Sequence, residues 1–162
     1  MDEYTKKAIL SAIRFEKASH DFYLLAASKA TEPETRAFLM KLAREEFEHL
    51  VGFIMLYPGG ESNFSVMRNE VLGSDDLGSR ELLAKIDSID SRKEALAIAM
   101  KEEQFCIELY STFVDTIRDT KIHAMFSRAL HETRQHLETI EAEYARCMGM
   151  VNDSEIDKYI RE

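Results

Sequence analysis

Apolar and small residues recur at helical spacing through Ile9, Ile13, Tyr23 and Ala27, which predicts a helix from Tyr4 to about Lys29. A second stripe through Phe38, Leu42, Phe53 and Leu56 predicts a helix reaching Tyr57. Thr31-Glu32-Pro33-Glu34 opens it as a capping box with Pro in the first turn, and Pro58-Gly59-Gly60 ends it. Between residues 61 and 90 the period breaks up around Gly73, Gly78 and several Ser and Asp, although Ser79 to Ile86 suits a short helix. A third stripe, through Leu96, Met100, Ile107, Tyr110 and Val114, follows a second capping box at Ser91 and Glu94 and ends near Asp119-Thr120. The fourth helix runs from about Lys121 to Met148 with Gly149 as its stop, and the tail from Asn152 has room for one short helix more.

This pattern predicts an all-α chain of two helical hairpins, about 4–57 and 91–148, joined by a crossover over 58–90. One long connection between two hairpins is the topology of the ferritin-like four-helix bundle. An internal repeat supports it. A shift of 87 residues carries Glu16 onto Glu103, Tyr23 onto Tyr110, Glu45 onto Glu132, His49 onto His136 and Leu50 onto Leu137. The polar positions coincide as well as the apolar ones, which a shared helical period alone does not require.

At 162 residues the chain fits one domain, spanning 1–162, with a core that needs no staples. A net charge of -9 with no basic patch argues against nucleic acid and anionic lipid as partners. Apolar runs such as Val51 to Tyr57 are too short to span a membrane, and the opening MDEYTKKAIL lacks the basic leader of a signal peptide, so a cytoplasmic location is expected. Cys106 and Cys147 form no Cys-x-x-Cys pair, which leaves carboxylate and imidazole as the main metal donors.

Those donors stand on the apolar stripes. Glu16 lies between Ile13 and Tyr23, and Glu103 between Met100 and Tyr110, where an ordinary core helix would carry Leu. A carboxylate facing a core needs a partner charge or a metal. Glu46 and His49 form a Glu-x-x-His pair on the side of helix two marked by Phe38, Leu42 and Phe53, leaving Arg44 and Glu48 to water. In bundle di-metal sites two helices each give a Glu and the other two each give Glu-x-x-His. Helix four supplies His136, but Thr133 stands three residues before it and Glu132 four before. Glu132 is therefore the expected fourth carboxylate, brought to the metals by a π-bulge between Glu132 and His136 if the helix adjusts; otherwise one ion lacks a ligand. His20 and Cys106 also lie on interior faces, as packing or supporting residues.

The segments AILSAIRFEKASHDFYLLAA and FLMKLAREEFEHL resemble the first two helices of the rubrerythrin-like branch of the ferritin-like di-iron family. The resemblance implies a four-helix bundle holding two non-haem iron ions, with Glu16, Glu46, His49, Glu103 and His136 as ligands. It also implies peroxide reduction with electrons from rubredoxin. Three features depart from the family pattern: Thr133 begins the second Glu-x-x-His, Cys106 replaces an additional helix-three Glu, and no four-cysteine rubredoxin domain is present, so the donor must be external.

The expected function is thus reduction of peroxide or oxygen at a di-iron site, as a peroxidase or a ferroxidase. Tyr23 and Tyr110 are expected to hydrogen-bond the carboxylates, and manganese or zinc are the alternative metals. The alternative is a non-enzymatic metal-binding, storage or interaction protein of the same fold. Base rates and the resemblance make a homodimer the expected assembly.

Overall fold

The computed structural model describes residues 1–70 and 92–149. Among these residues the chain forms five helices and no strand: α1 (Glu3–Lys29), α2 (Pro33–Leu56), α3 (Phe64–Glu70), α4 (Arg92–Thr116) and α5 (Thr120–Cys147). The four long helices are those predicted by the apolar stripes, and they make a ferritin-like bundle. The possible helix at Ser79 to Ile86, the cap at Ser91 and the tail from Asn152 lie outside the described residues. The crossover begins with an element the pattern did not predict, the short α3.

Helix ends are set by side chains that satisfy the first free amides. Asp2 opens α1, accepting from the Thr5 amide at 2.8 Å and the Thr5 hydroxyl at 2.7 Å. Asp119 opens α5, accepting from the amides of Lys121 and Ile122 at 3.0 and 3.1 Å. The capping box expected at Thr31 does not form. Pro33 takes the first helical position, which makes Glu32 the cap residue, and its carboxylate binds the Thr35 hydroxyl and Arg92 instead of a backbone amide. Glu32 thereby ties the start of α2 to the start of α4. Beyond α2, Gly60 packs so closely that a Cβ would lie 1.7 Å from the Ile54 carbonyl oxygen, which excludes any other residue there.

Short connections pair α1 with α2 and α4 with α5, and the hairpins meet through α1 against α4 and α2 against α5. The interior has two apolar clusters. One contains Ile9, Ile13, Phe53, Tyr110, Phe113 and Phe126; the other contains Phe22, Tyr23, Leu39, Leu42, Leu96 and Ile140. Along each long helix the residues of one cluster give way to those of the other at a buried polar layer. That layer holds Glu16, Glu46, His49, Glu103, Thr133 and His136. No described helix is long and apolar enough to cross a membrane.

Candidate metal centre

Each long helix brings polar atoms to this layer because its core-facing stripe is interrupted there. Glu16 comes from α1, Glu46 and His49 from neighbouring turns of α2, Glu103 from α4 and His136 from α5. All five are buried, Glu16 and His49 to 1 % exposure. Their donor atoms form two groups, Glu16–Glu46–His49 and Glu46–Glu103–His136, with the atoms of each group within 4.8 Å of one another.

Glu46 belongs to both groups and divides its two oxygens between them. Its Oε2 lies 3.9 Å from Nδ1 of His49, and its Oε1 lies 2.9 Å from Nδ1 of His136. Nδ1 of His49 is also 3.5 Å from Oε2 of Glu16, and Nδ1 of His136 is 3.8 Å from Oε1 of Glu103. Closeness here is not hydrogen bonding. Glu16 Oε2, Glu46 Oε1, His49 Nδ1 and His136 Nδ1 are all buried without an aligned hydrogen-bond partner. Four orphaned donor atoms converging on one space would be costly in a finished polar network, and they suit a pair of cations.

The remaining carboxylate atoms are held from the opposite hairpin. Tyr110 donates to Oε1 of Glu16 and Tyr23 donates to Oε1 of Glu103, each at 2.5 Å, as expected from the sequence. Burial, then the facing carboxylate Glu103, pushes the Tyr23 phenol well up; burial, with Cys106 and Glu16 beside it, does the same for Tyr110. Both phenols therefore stay protonated and donate.

The clustered side chains share their charge unevenly. Burial, reinforced by Glu46, pushes Glu16 up to about 8, and burial together with Glu46 pushes Glu103 up to about 8. Burial opposes ionisation of Glu46 too, but the close approach of Glu16 and of both histidines outweighs it and holds Glu46 well below the usual carboxylate range. Burial alone would lower both histidines. Glu16 and Glu46 instead push His49 up to about 12, and Glu46 and Glu103 push His136 up to about 9.

Glu132 is in neither donor group. Its Oε2 lies 2.5 Å from Nε2 of His49, the ring nitrogen not turned to the carboxylates of the centre, and its Oε1 accepts from Nε of Arg128 at 2.9 Å. The expected π-bulge is absent: α5 is regular α-helix through Glu132 and His136. A regular helix puts Thr133, not Glu132, on the buried face three residues before His136, and the Thr133 hydroxyl donates to the Ala129 carbonyl at 2.8 Å. The mate of Glu132 behaves likewise: Glu45 Oε2 lies 3.3 Å from Nε2 of His136, and Glu45 pairs with Lys41 at 3.1 Å. Glu45, Lys41 and Arg128 were not predicted as site residues. The shift of 87 residues, which carries Lys41 onto Arg128 as well as Glu45 onto Glu132, was the signal that could have found them.

Cys106 is buried among these groups without belonging to either; burial, then Glu16 and Glu103, pushes its thiol well up, so it stays neutral. His20 is in neither donor group; its Nδ1 lies 2.7 Å from the Ala43 carbonyl oxygen and its ring 5.3 Å from Phe47, joining α1 to α2.

Bundle topology and a buried layer of carboxylate and imidazole define the class, a ferritin-like helical protein with candidate metal-binding groups. The family described as Rubrerythrin matches residues 7–144, and the chain belongs to that family. No curated protein matches it.

Proposed function

We propose that the chain holds two iron ions between its four long helices and reduces peroxide or oxygen with electrons from an external donor such as rubredoxin. The observation that supports this most is the division of Glu46 between two groups, one oxygen toward each histidine. Glu16 and His49 would hold one ion, Glu103 and His136 the other, and Glu46 both. When bound, the iron pair would supply two electrons to the oxidant, alternating between ferrous and ferric, with water as the product of peroxide reduction.

The chain's own residues prepare the site for this. Tyr110 and Tyr23 occupy Oε1 of Glu16 and Glu103, which orients the carboxylates. Glu132 and Glu45 sit at Nε2 of the two histidines, which favours a proton there and a free lone pair on Nδ1. The apolar clusters on both sides of the polar layer keep bulk water from it. Oxygen and nitrogen donors without thiolate suit iron or manganese better than a tetrahedral zinc site.

Anaerobic iron loading followed by peroxide titration tests the reading. About two iron ions per chain are expected, as in other bundle carboxylate sites, with one peroxide oxidising both. Uptake of two ions that peroxide leaves ferrous would favour the second reading, a metal-carrying protein without turnover. That reading draws on Thr133, which leaves the centre one carboxylate short of the family pattern. Failure to bind iron would overturn both.

A further inference from the structure

The 87-residue repeat supplies the centre twice over, with one exception. Glu16 and Glu103, His49 and His136, Tyr110 and Tyr23, and the outer pairs Lys41–Glu45 and Arg128–Glu132 all have mates that occupy matching places. Glu46 has none. Its mate is Thr133, buried at 2 % exposure on the face of α5 that carries His136, with its hydroxyl turned to the Ala129 carbonyl. A glutamate at 133 would face the pair from α5 as Glu46 does from α2, offering one oxygen toward each ion.

The missing carboxylate also leaves a charge. Glu16, Glu46 and Glu103 would supply three negative charges against two divalent cations, leaving one positive charge between two apolar clusters for a further anion, hydroxide from bound water or a carboxylate, to compensate. Such a charge is unfavourable away from water. Glu45 and Glu132 do not neutralise it, because each touches an outer imidazole nitrogen and is paired with its own cation, Lys41 or Arg128. Four donor atoms within the centre remain buried without a hydrogen-bond partner, as atoms kept for ligands would.

We propose that the metal-loaded centre takes a small carboxylate from solution, of the size of formate, as its second bridge beside Thr133. The inference rests on the two-metal reading above. Threonine lacks the terminal carboxylate of glutamate, and formate is that carboxylate alone: one negative charge and two oxygens able to span ions about 3.5–4 Å apart. An internal source competes with the external one, since Glu132 is adjacent in sequence and would have to leave His49 and Arg128 to reach the ions.

Cobalt(II) loading of the full chain in a weakly coordinating buffer tests this without turnover, with metal counted by elemental analysis and coordination followed by visible absorption. Formate should shift the cobalt bands and strengthen uptake of the second ion, by about tenfold if the coupling is of ordinary size. Thr133→Glu should bind two ions with no response to formate, whereas Thr133→Val should keep the response. Two ions bound by the wild type with no formate response overturns the inference and leaves the two-metal reading standing. A response that appears only in Glu132→Gln overturns it in favour of Glu132 as the internal bridge, and a response that persists in folded Thr133→Glu places formate elsewhere. Fewer than two ions at every formate concentration removes the two-metal reading itself. If Thr133→Glu folds poorly, the wild-type titration decides alone.

Discussion

Apart from Glu46, which has Thr133 as its mate, the two hairpins approach the centre with matching polar residues, and they support it with different apolar ones. Around the layer, Phe53, Phe113 and Phe126 of one cluster have Ile140, Ala26 and Leu39 as their repeat mates in the other. The aromatic side is interlocked: Phe126 lies 4.8 Å from Phe53, 5.4 Å from Tyr110 and 5.0 Å from Phe113, centroid to centroid. The buried residues of the opposite side are aliphatic apart from Phe22 and Tyr23, which pack edge to face. The repeat therefore preserves what meets the centre and lets the packing behind it diverge. Apolar positions accept any side chain of suitable volume, whereas a ligand or a cross-hairpin hydrogen bond requires one functional group at one distance.

The comparison is broken most severely at Glu46, the residue that has no equivalent. Glu46→Ala should abolish binding of both ions, because it removes a donor from both groups at once, while Glu103→Ala removes one donor from one group and should spare one ion. Elemental analysis after loading distinguishes them. Circular dichroism should show both variants folded, since each loses a buried carboxylate and leaves the apolar clusters intact. Loss of one ion only from Glu46→Ala would mean that Glu46 does not bridge.

The divergent packing gives the next largest effect. Phe126→Ala removes the ring shared by three aromatic contacts and should lower stability by about 3–5 kcal/mol, in the range of buried Phe truncations. Leu39→Ala, its repeat mate, should fall nearer the lower end of the range of about 2–5 kcal/mol for Leu. Urea denaturation of the two variants measures the difference. Equal losses would mean that the two clusters support the layer alike.

Metal removal acts on both hairpins together. With divalent ion at about 100 times its dissociation constant, binding to the folded state alone should add about 2.7 kcal/mol, or roughly 5–10 °C in melting temperature for a chain of this length. Matched melting curves with and without metal would mean that the buried donors bind none.

The four long helices were legible because each carries a stripe at helical period, and the candidate ligands were legible because charged residues interrupt those stripes at Glu16, Glu46 and Glu103. Helix caps were less so. Thr31 has the residue type of a cap, but Pro33 fixes where the helix begins, and Glu32 is held by Arg92, 60 residues away in sequence. Distant pairing of this kind leaves no local pattern. The same holds at the centre, where Glu45 and Glu132 lie on half-exposed faces that read as ordinary charged surface until the histidines of the other hairpin reach them.

Glu132 carries the sharpest remaining test of the two hairpins' equivalence. If it were a ligand, its loss would remove an ion; if it orients His49 from Nε2, its loss should weaken both uptake and ring placement without changing the count. Glu132→Gln keeps the size of the side chain and an oxygen acceptor but removes the charge that favours a proton on Nε2. The expected result is two ions per chain with affinity lowered by about 10–100-fold, the usual range for such supporting carboxylates. Glu45→Gln acts on His136 across a longer contact, 3.3 Å against 2.5 Å for Glu132, and should have the smaller effect of the two. Calorimetric titration with cobalt(II) gives count and affinity together. One ion in Glu132→Gln would make Glu132 a ligand, and equal affinities in all three proteins would reduce both outer carboxylates to surface charge.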